Sequence, residues 1–286
     1  MTDVVRDPSL FAAACEAARL RGARVGIVPT MGALHEGHLA LTSEVRRRGA
    51  TFVVVTIFVN PLQFGPNEDF SRYPRTFDAD LSRCEAAGVD LVFAPEPTSM
   101  YPEGFATSVT VKGITEVLEG SHRPGHFDGV TTVVAKLFAL VGPSVAAFGR
   151  KDYQQWRVLD KMVKDLLLPI EMHGMATVRE PDGLAMSSRN RYLSPEDRVR
   201  ALGIVAGLRA AHQAFADGER DVATLTSLAR APIAAAFDRL DYVSVVNPDT
   251  LAPLEGSFDR ALVVVAAHLG KTRLIDNTVL GEERCP

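Results

Sequence analysis

Apolar positions along the chain alternate between a helical and a strand-like spacing, and each change of spacing marks an element. Over 8–21, Leu10, Phe11, Ala14 and Ala18 fall on one side of a helix. Val25-Gly26-Ile27-Val28 is a short, wholly apolar run of strand type. A second helix is expected over 35–48, with Leu39, Leu41 and Val45 turned inward. The stretch 51–59 is dense in β-branched residues and stops at Asn60-Pro61, so it reads as a central strand ending in a turn. Further helices are expected over 76–87, 131–140 and 152–167, and further strands over 90–94, 107–111, 144–148 and 171–178. Strands and helices in alternation, with strands apolar almost throughout, predict an α/β fold with a parallel sheet covered on both faces.

The texture changes at Ser194. Ser194-Pro195-Glu196-Asp197 combines a cap, a proline in the first turn and acids favoured by the helix dipole. The helix it starts runs to about Ala216, with Gly218 as its stop. A second helix over 222–240 and strands over 242–246, 261–267 and 272–275 make a smaller α+β domain. The expected domains are 1–177 and 178–286, joined through a loop over 180–192.

Composition narrows the class. A chain of 286 residues can bury a large core and hold two domains. A net charge of -4 argues against nucleic acid as a partner, since a nucleic-acid binder usually carries a basic face. The apolar run 52–59 is of strand length, far short of a membrane span, and residues 1–8 lack the basic-then-apolar order of a signal peptide. Cys15, Cys84 and Cys285 are scattered and odd in number, which suggests neither a disulfide framework nor zinc pairing. A cytoplasmic enzyme is expected.

Candidate chemistry gathers after the strands, where open α/β sheets bind ligands. Pro29-Thr30-Met31-Gly32-Ala33-Leu34-His35-Glu36-Gly37-His38 follows the run 25–28 directly. His35 and His38, three apart at a helix start, share a face beside unpaired N–H groups and the positive end of the dipole. That is a phosphate clamp; a bare pair of surface histidines, or zinc ligation with His122 and His126, are the competing readings. Gly37 is out of place in a helix on propensity grounds, and a ligand passing close to the backbone would explain it. Gly149-Arg150-Lys151-Asp152 supplies a lysine suited to phosphate oxygens, and Met186-Ser187-Ser188-Arg189 supplies hydroxyls and a guanidinium. Gln63 and Gln155 carry amides able to donate to and accept from a hydroxy acid. Glu119, Arg123 and His126 stand in a polar loop between apolar segments. No GxGxxG fingerprint is present, so the nucleotide is not held as NAD is.

Taken together these segments resemble the pantoate–β-alanine ligases over nearly the whole chain. The shared motifs include Pro29 to His38, Ile57-Phe58-Val59-Asn60-Pro61, Tyr73-Pro74-Arg75-Thr76, Arg123-Pro124-Gly125-His126-Phe127, Lys151-Asp152-Tyr153-Gln154-Gln155 and Asp182-Gly183-Leu184-Ala185-Met186-Ser187-Ser188-Arg189-Asn190. The histidine segment alone marks only the broader nucleotidyltransferase superfamily. The resemblance implies a Rossmann-like N-terminal domain, a smaller C-terminal lid domain and a homodimer, with ATP, Mg²⁺, pantoate and β-alanine as ligands. It implies ATP binding by Met31, Gly32, Ala33, Leu34, His35, Glu36, Gly37, His38, Gly149, Lys151, Asp152, Val178, Met186, Ser187, Ser188 and Arg189. His38 would be the family's proton donor, and His35, Lys151 and Arg189 would act with it. Gln63 and Gln155 would bind pantoate, while Gln63, Tyr73, Glu119, Arg123 and His126 would line the β-alanine region. Asp80 would be a metal ligand, although Ala79 stands where some relatives carry an acid. Arg150 replaces the family's usual Glu and Leu62 its usual Met. A nucleotidyltransferase with another carboxylate, a zinc hydrolase and a non-catalytic nucleotide binder are the alternatives.

Overall fold

The computed structural model describes residues 2–66, 68–282 and 285–286. Two compact units emerge. The N-terminal unit comprises Met1–Arg150 and Gln155–Met175, and the C-terminal unit Lys151–Gln154 and Ala176–Pro286.

The N-terminal unit is built on six parallel strands: β1 (Asp3–Val5), β2 (Val25–Thr30), β3 (Phe52–Ile57), β4 (Leu91–Phe93), β5 (Ser144–Gly149) and β6 (Ile170–Met175). Their order is β1-β4-β3-β2-β5-β6. The central strands β2, β3 and β5 are almost wholly apolar because helices cover both faces. On one face α1 (Pro8–Leu20), α6 (His126–Val141) and α7 (Tyr153–Asp165) bury Phe11, Val134 and Leu159 with Ile27 and Val54. On the other, α2 (Glu36–Arg47) and α3 (Phe77–Ala86) bury Leu41, Val45 and Cys84 with Val28 and Val53. Two short helices, α4 (Pro97–Met100) and α5 (Glu119–His122), lie in the connection from β4 to α6.

The chain leaves β2 toward β3 on one side, while β5 pairs with β2 on the other. The sheet therefore reverses its direction of growth at β2, and such a reversal opens a crevice at the carboxyl ends of the strands. The segments after β2 and β5 both rise from that edge.

The C-terminal unit pairs α8 (Pro195–Arg200), α9 (Leu202–Ala216) and α10 (Val222–Ala236) with an antiparallel sheet of β7 (Arg239–Val246), β8 (Ala261–Leu269) and β9 (Thr272–Leu280). Its own core includes Ile204, Leu208, Leu225 and Val263. Ser194 caps α8 as its sequence predicts, accepting the Asp197 N–H at 3.0 Å. Gly218 stands at φ +102°, the left-handed backbone that a glycine stop permits.

Three expectations change. The single helix expected over 194–216 is two, α8 and α9, meeting at Ala201. The strand expected over 107–111 is extended chain outside any sheet. Its backbone pairs with side chains of α6 instead: Val109 N–H donates to Thr132 Oγ1 at 2.9 Å, and Thr131 Oγ1 donates to the Val109 carbonyl. Helix α6 starts at His126, five residues before the 131–140 window, behind Gly125 at φ +79°.

Candidate active site

The segment after β2 is shaped by a buried carboxylate. Gly32 and Ala33 both adopt left-handed backbone, at φ +82° and +51°. A Cβ on Gly32 would meet Asp80 Oδ2 at 3.0 Å, so glycine suits the position twice over. Ala33 has no such freedom and is held by Asp80, whose Oδ2 and Oδ1 accept the N–H groups of Ala33 (2.9 Å) and Leu34 (2.7 Å). Thr76 Oγ1 adds a third donor to Oδ2 at 3.1 Å. Asp80 is 2% exposed, and a carboxylate taken from water needs such donors. The structure thus gives Asp80 a task that the sequence does not announce: both oxygens accept from the loop. Among the described residues no group of three or more His, Cys, Asp or Glu side chains is placed to hold a metal ion, which also removes the basis for a zinc centre built on His35, His38, His122 and His126.

His35 is the cap of α2. Its Nδ1 accepts the Gly37 N–H at 3.2 Å, and the Nδ1 of His38 accepts the His35 N–H at 3.3 Å. The two rings lie 4.1 Å apart at 41°. A nitrogen that accepts an N–H cannot carry its own proton, so each neutral ring bears hydrogen at Nε2. Both imidazoles are thereby fixed as Nε2 donors at the positive end of a helix, beside backbone N–H groups. Glu36 is exposed and pairs with Arg83 at 3.4 Å.

Gln63 ends a 3-10 turn, Pro61–Gln63, just beyond β3. Asn60, 1% exposed, organises the turn: its Oδ1 accepts Leu62 N–H (3.3 Å) and the Tyr101 hydroxyl (2.7 Å), while its Nδ2 donates to the carbonyl of Gly129 (3.0 Å) and to Gln63 Oε1 (3.1 Å). With its oxygen so engaged, the Gln63 amide turns its nitrogen toward Met31 Sδ at 3.1 Å. No role is expected of Asn60 from the sequence, although it stands in one of the shared motifs; two of its partners, Tyr101 and Gly129, are distant in sequence.

Arg123, His126 and Glu119 cluster behind that turn. Arg123 grips Glu68 through two bonds of 2.7 and 2.6 Å, and its Nη1 lies 3.7 Å from Glu119. His126 Nδ1 meets the Gln63 carbonyl at 2.8 Å, and its Nε2 meets Arg123 Nη1 at 3.0 Å. A carbonyl can only accept and a guanidinium can only donate, so His126 is neutral with its hydrogen on Nδ1. Burial, and then the Arg123 charge, push its pKa down to about 4. Burial would raise the Glu68 carboxyl, but the Arg123 guanidinium outweighs it and holds the group below its ordinary value. Tyr73 is buried against Phe64, 5.9 Å between ring centres. Gly149 ends β5, and Gln155 is half-buried on the first turn of α7. The Arg150 guanidinium lies 6.0 Å from the centre of the Trp156 ring.

In the C-terminal unit, 178–186 is a hairpin rather than the open loop expected over 180–192. Met186 N–H donates to Val178 O (3.0 Å), Arg179 bridges Ala185, and Gly183 turns at φ +98°. Ser187 then caps the 3-10 helix Ser188–Tyr192 by accepting Arg189 N–H at 3.3 Å. Lys151 and Asp152 lie on the 3-10 turn Arg150–Asp152, Lys151 half-buried and Asp152 exposed.

The family model described as pantoate-beta-alanine ligase matches residues 3–279. The chain belongs to the pantoate–β-alanine ligase family. Such a ligase from Anaeromyxobacter dehalogenans, called pantothenate synthetase, is 52% identical over 281 residues, 96% of this chain and 97% of its own. The pantothenate synthetase structure from Thermus thermophilus matches with a TM-score of 0.91 at 48% identity, over 97% of this chain and 99% of that one. The Francisella tularensis pantoate-beta-alanine ligase, complexed with beta-gamma ATP and beta-alanine, matches with a TM-score of 0.80 at 31% identity over all of both chains. The six-stranded parallel sheet with a smaller antiparallel unit is the fold of the pantoate–β-alanine ligases, and the chain is a ligase of that family.

Proposed function

We propose that the enzyme condenses pantoate with β-alanine at the expense of ATP, through pantoyl adenylate. The carrying observation is the pair of imidazoles locked as Nε2 donors at the start of α2. In the first step a pantoate carboxylate oxygen bonds to the α-phosphorus, and the bond from that phosphorus to the pyrophosphate oxygen breaks. In the second, the β-alanine nitrogen bonds to the acyl carbon, AMP leaves with the former carboxylate oxygen, and the amine sheds a proton. The carboxylate needs the first step because its own oxygen is a poor leaving group at neutral pH. No protein nucleophile is called for; the protein's task is alignment and neutralisation of charge on the departing oxygens.

The family resemblance assigns ATP to Met31 through His38, Gly149, Lys151, Asp152, Val178 and Met186 through Arg189. His38 and His35 would offer Nε2–H groups to phosphate oxygens, and Lys151 and Arg189 fixed positive charge. Gln63 and Gln155 would hold pantoate. Glu119, Arg123 and His126 would serve the β-alanine region partly through Gln63, whose carbonyl His126 holds. Magnesium, implied by the resemblance, finds no protein cage among the described residues, and Asp80 is committed to the loop. Mg²⁺ often binds chiefly to phosphates and water, so we propose it only as the nucleotide's companion. A homodimer and a cytoplasmic location belong to the same reading; Cys15 and Cys84 are buried free thiols, and no helix among the described residues is long and apolar enough to cross a membrane.

Purified protein given ATP and pantoate should release pyrophosphate, and β-alanine should then yield pantothenate and AMP. Pyrophosphate release that ignores pantoate but answers to another carboxylate would replace the substrate.

A further inference from the structure

Strand β9 lies at the edge of the C-terminal sheet and carries two consecutive buried polar residues, Asp276 and Asn277, 3% and 2% exposed. Polar side chains so deep are retained only against good partners. Asp276 receives Arg179 through two bonds, 2.7 Å to Oδ2 and 3.1 Å to Oδ1. Arg179 also donates to the carbonyls of Asn277 (3.1 Å) and Gly183 (3.0 Å). One guanidinium therefore ties the first limb of the 178–186 hairpin and its Gly183 turn to β9. That hairpin delivers Ser187, Ser188 and Arg189.

Asn277 reaches a different segment. Its Nδ2 donates to the Lys151 carbonyl at 2.8 Å, across 126 residues of sequence. The segment Lys151–Gln154 groups with the C-terminal unit although its chain neighbours on either side group with the N-terminal unit. This bond is a direct reason for that grouping. A backbone held at its carbonyl fixes where the Lys151 side chain leaves the chain.

We propose that Asp276 and Asn277 form the positioning element that sets Lys151 and the 187–189 segment in register with one another. Both cationic groups assigned to the nucleotide in this unit, Lys151 and Arg189, then answer to one two-residue stretch of β9. The proposal rests on the reading that Lys151 binds the nucleotide. Asn277 itself touches no substrate in it: its amide acts through the Lys151 backbone.

The test is pantoate-dependent ATP–pyrophosphate exchange in Asn277→Ala, Asn277→Leu, Lys151→Ala and the two double variants. Asn277→Leu nearly keeps the shape and removes the amide without burying a charge, so it carries the test should Asn277→Ala fail to fold. Either single variant should raise the KM for ATP and lower exchange by about tenfold, the scale of one lost hydrogen bond. The KM for pantoate and the thermal midpoint should stay near those of the parent. In a Lys151→Ala background the Asn277 substitutions should cost nothing more, because coupled residues are not additive. Parent-level exchange in both Asn277 variants overturns the proposal, as does an undiminished loss in the Lys151→Ala background, which would make the bond a general structural tie. Parent-level exchange in Lys151→Ala fails separately: it removes Lys151 from the nucleotide and the proposal with it.

Discussion

His38 serves two purposes through two atoms. Its Nδ1 closes the start of α2 by accepting the His35 N–H, and its Nε2 is the donor proposed for phosphate. The two can be separated. Asparagine at 38 offers an oxygen near the place of Nδ1 and nothing near the place of Nε2. His38→Asn is therefore expected to keep the thermal midpoint within a degree or two of the parent, on the order of a few tenths of a kcal/mol, yet lose about 10²–10³ in exchange rate. His38→Ala should lose the same activity and also some stability. Near-parent exchange in both variants takes His38 out of the chemistry. The pair was legible in the sequence because spacing of three at a helix start is a local signal. The hold of Asp80 on the loop escaped the sequence for the opposite reason. Its partners Ala33 and Leu34 lie more than forty residues earlier, and an acid in a helical stretch looks the same whether it awaits a metal or two amides.

At the scale of elements, periodicity placed most helices and strands of both units, since each buries one apolar stripe or run. It failed where side chains satisfy the backbone. The segment 107–111 has the composition of a strand, but Thr131 and Thr132 occupy the groups a neighbouring strand would have used. It failed again at the start of α6, where glycine and proline suggested a loop and His126 instead opens the helix. That helix packs directly on the Pro61–Gln63 turn. A Cβ on Gly129 would stand 2.3 Å from the Leu62 carbonyl oxygen and 2.6 Å from the Gln63 nitrogen, both backbone atoms unable to swing aside. Gly129→Ala should therefore displace the turn that carries Gln63. A loss of about 1–3 kcal/mol is expected from overpacking of this kind, with a rise in the KM for pantoate larger than that for ATP. Equal changes in the two constants would show that Gln63 does not depend on this packing. No periodicity announces such a glycine: in sequence it is one small residue on a largely apolar helix.

At the scale of the whole molecule, composition argued against a nucleic-acid binder without naming a reaction, and the change of texture at Ser194 signalled a second unit. The separate cores mean that acid need not strike both units alike. His126 lies in the N-terminal unit, neutral between the Gln63 carbonyl and Arg123. Protonating it puts a second cation beside a guanidinium inside a dry cluster, so the folded state resists the proton down to about pH 4, whereas the unfolded chain accepts it near 6.5. Between those values the unfolded state binds more protons, and stability falls as pH falls; above 6.5 neither state is charged and the term vanishes. The full loss is up to about 3 kcal/mol. Glu68 acts in the same direction at lower pH: the contribution of its depressed carboxyl begins to fall as the medium enters the ordinary carboxylate range and is gone below the depressed value. Urea unfolding at pH 7, 6 and 5 should show the N-terminal unit weakening across this window in the parent. His126→Asn, which cannot take up the proton, should begin less stable at pH 7 and follow a flatter course to pH 5, while the C-terminal unit's transition follows the parent's course. A parent and a variant with parallel pH dependence would mean that the buried imidazole takes up its proton at the same pH in the folded as in the unfolded chain, and the neutral hydrogen-bond chain from Arg123 to Gln63 would have to be redrawn.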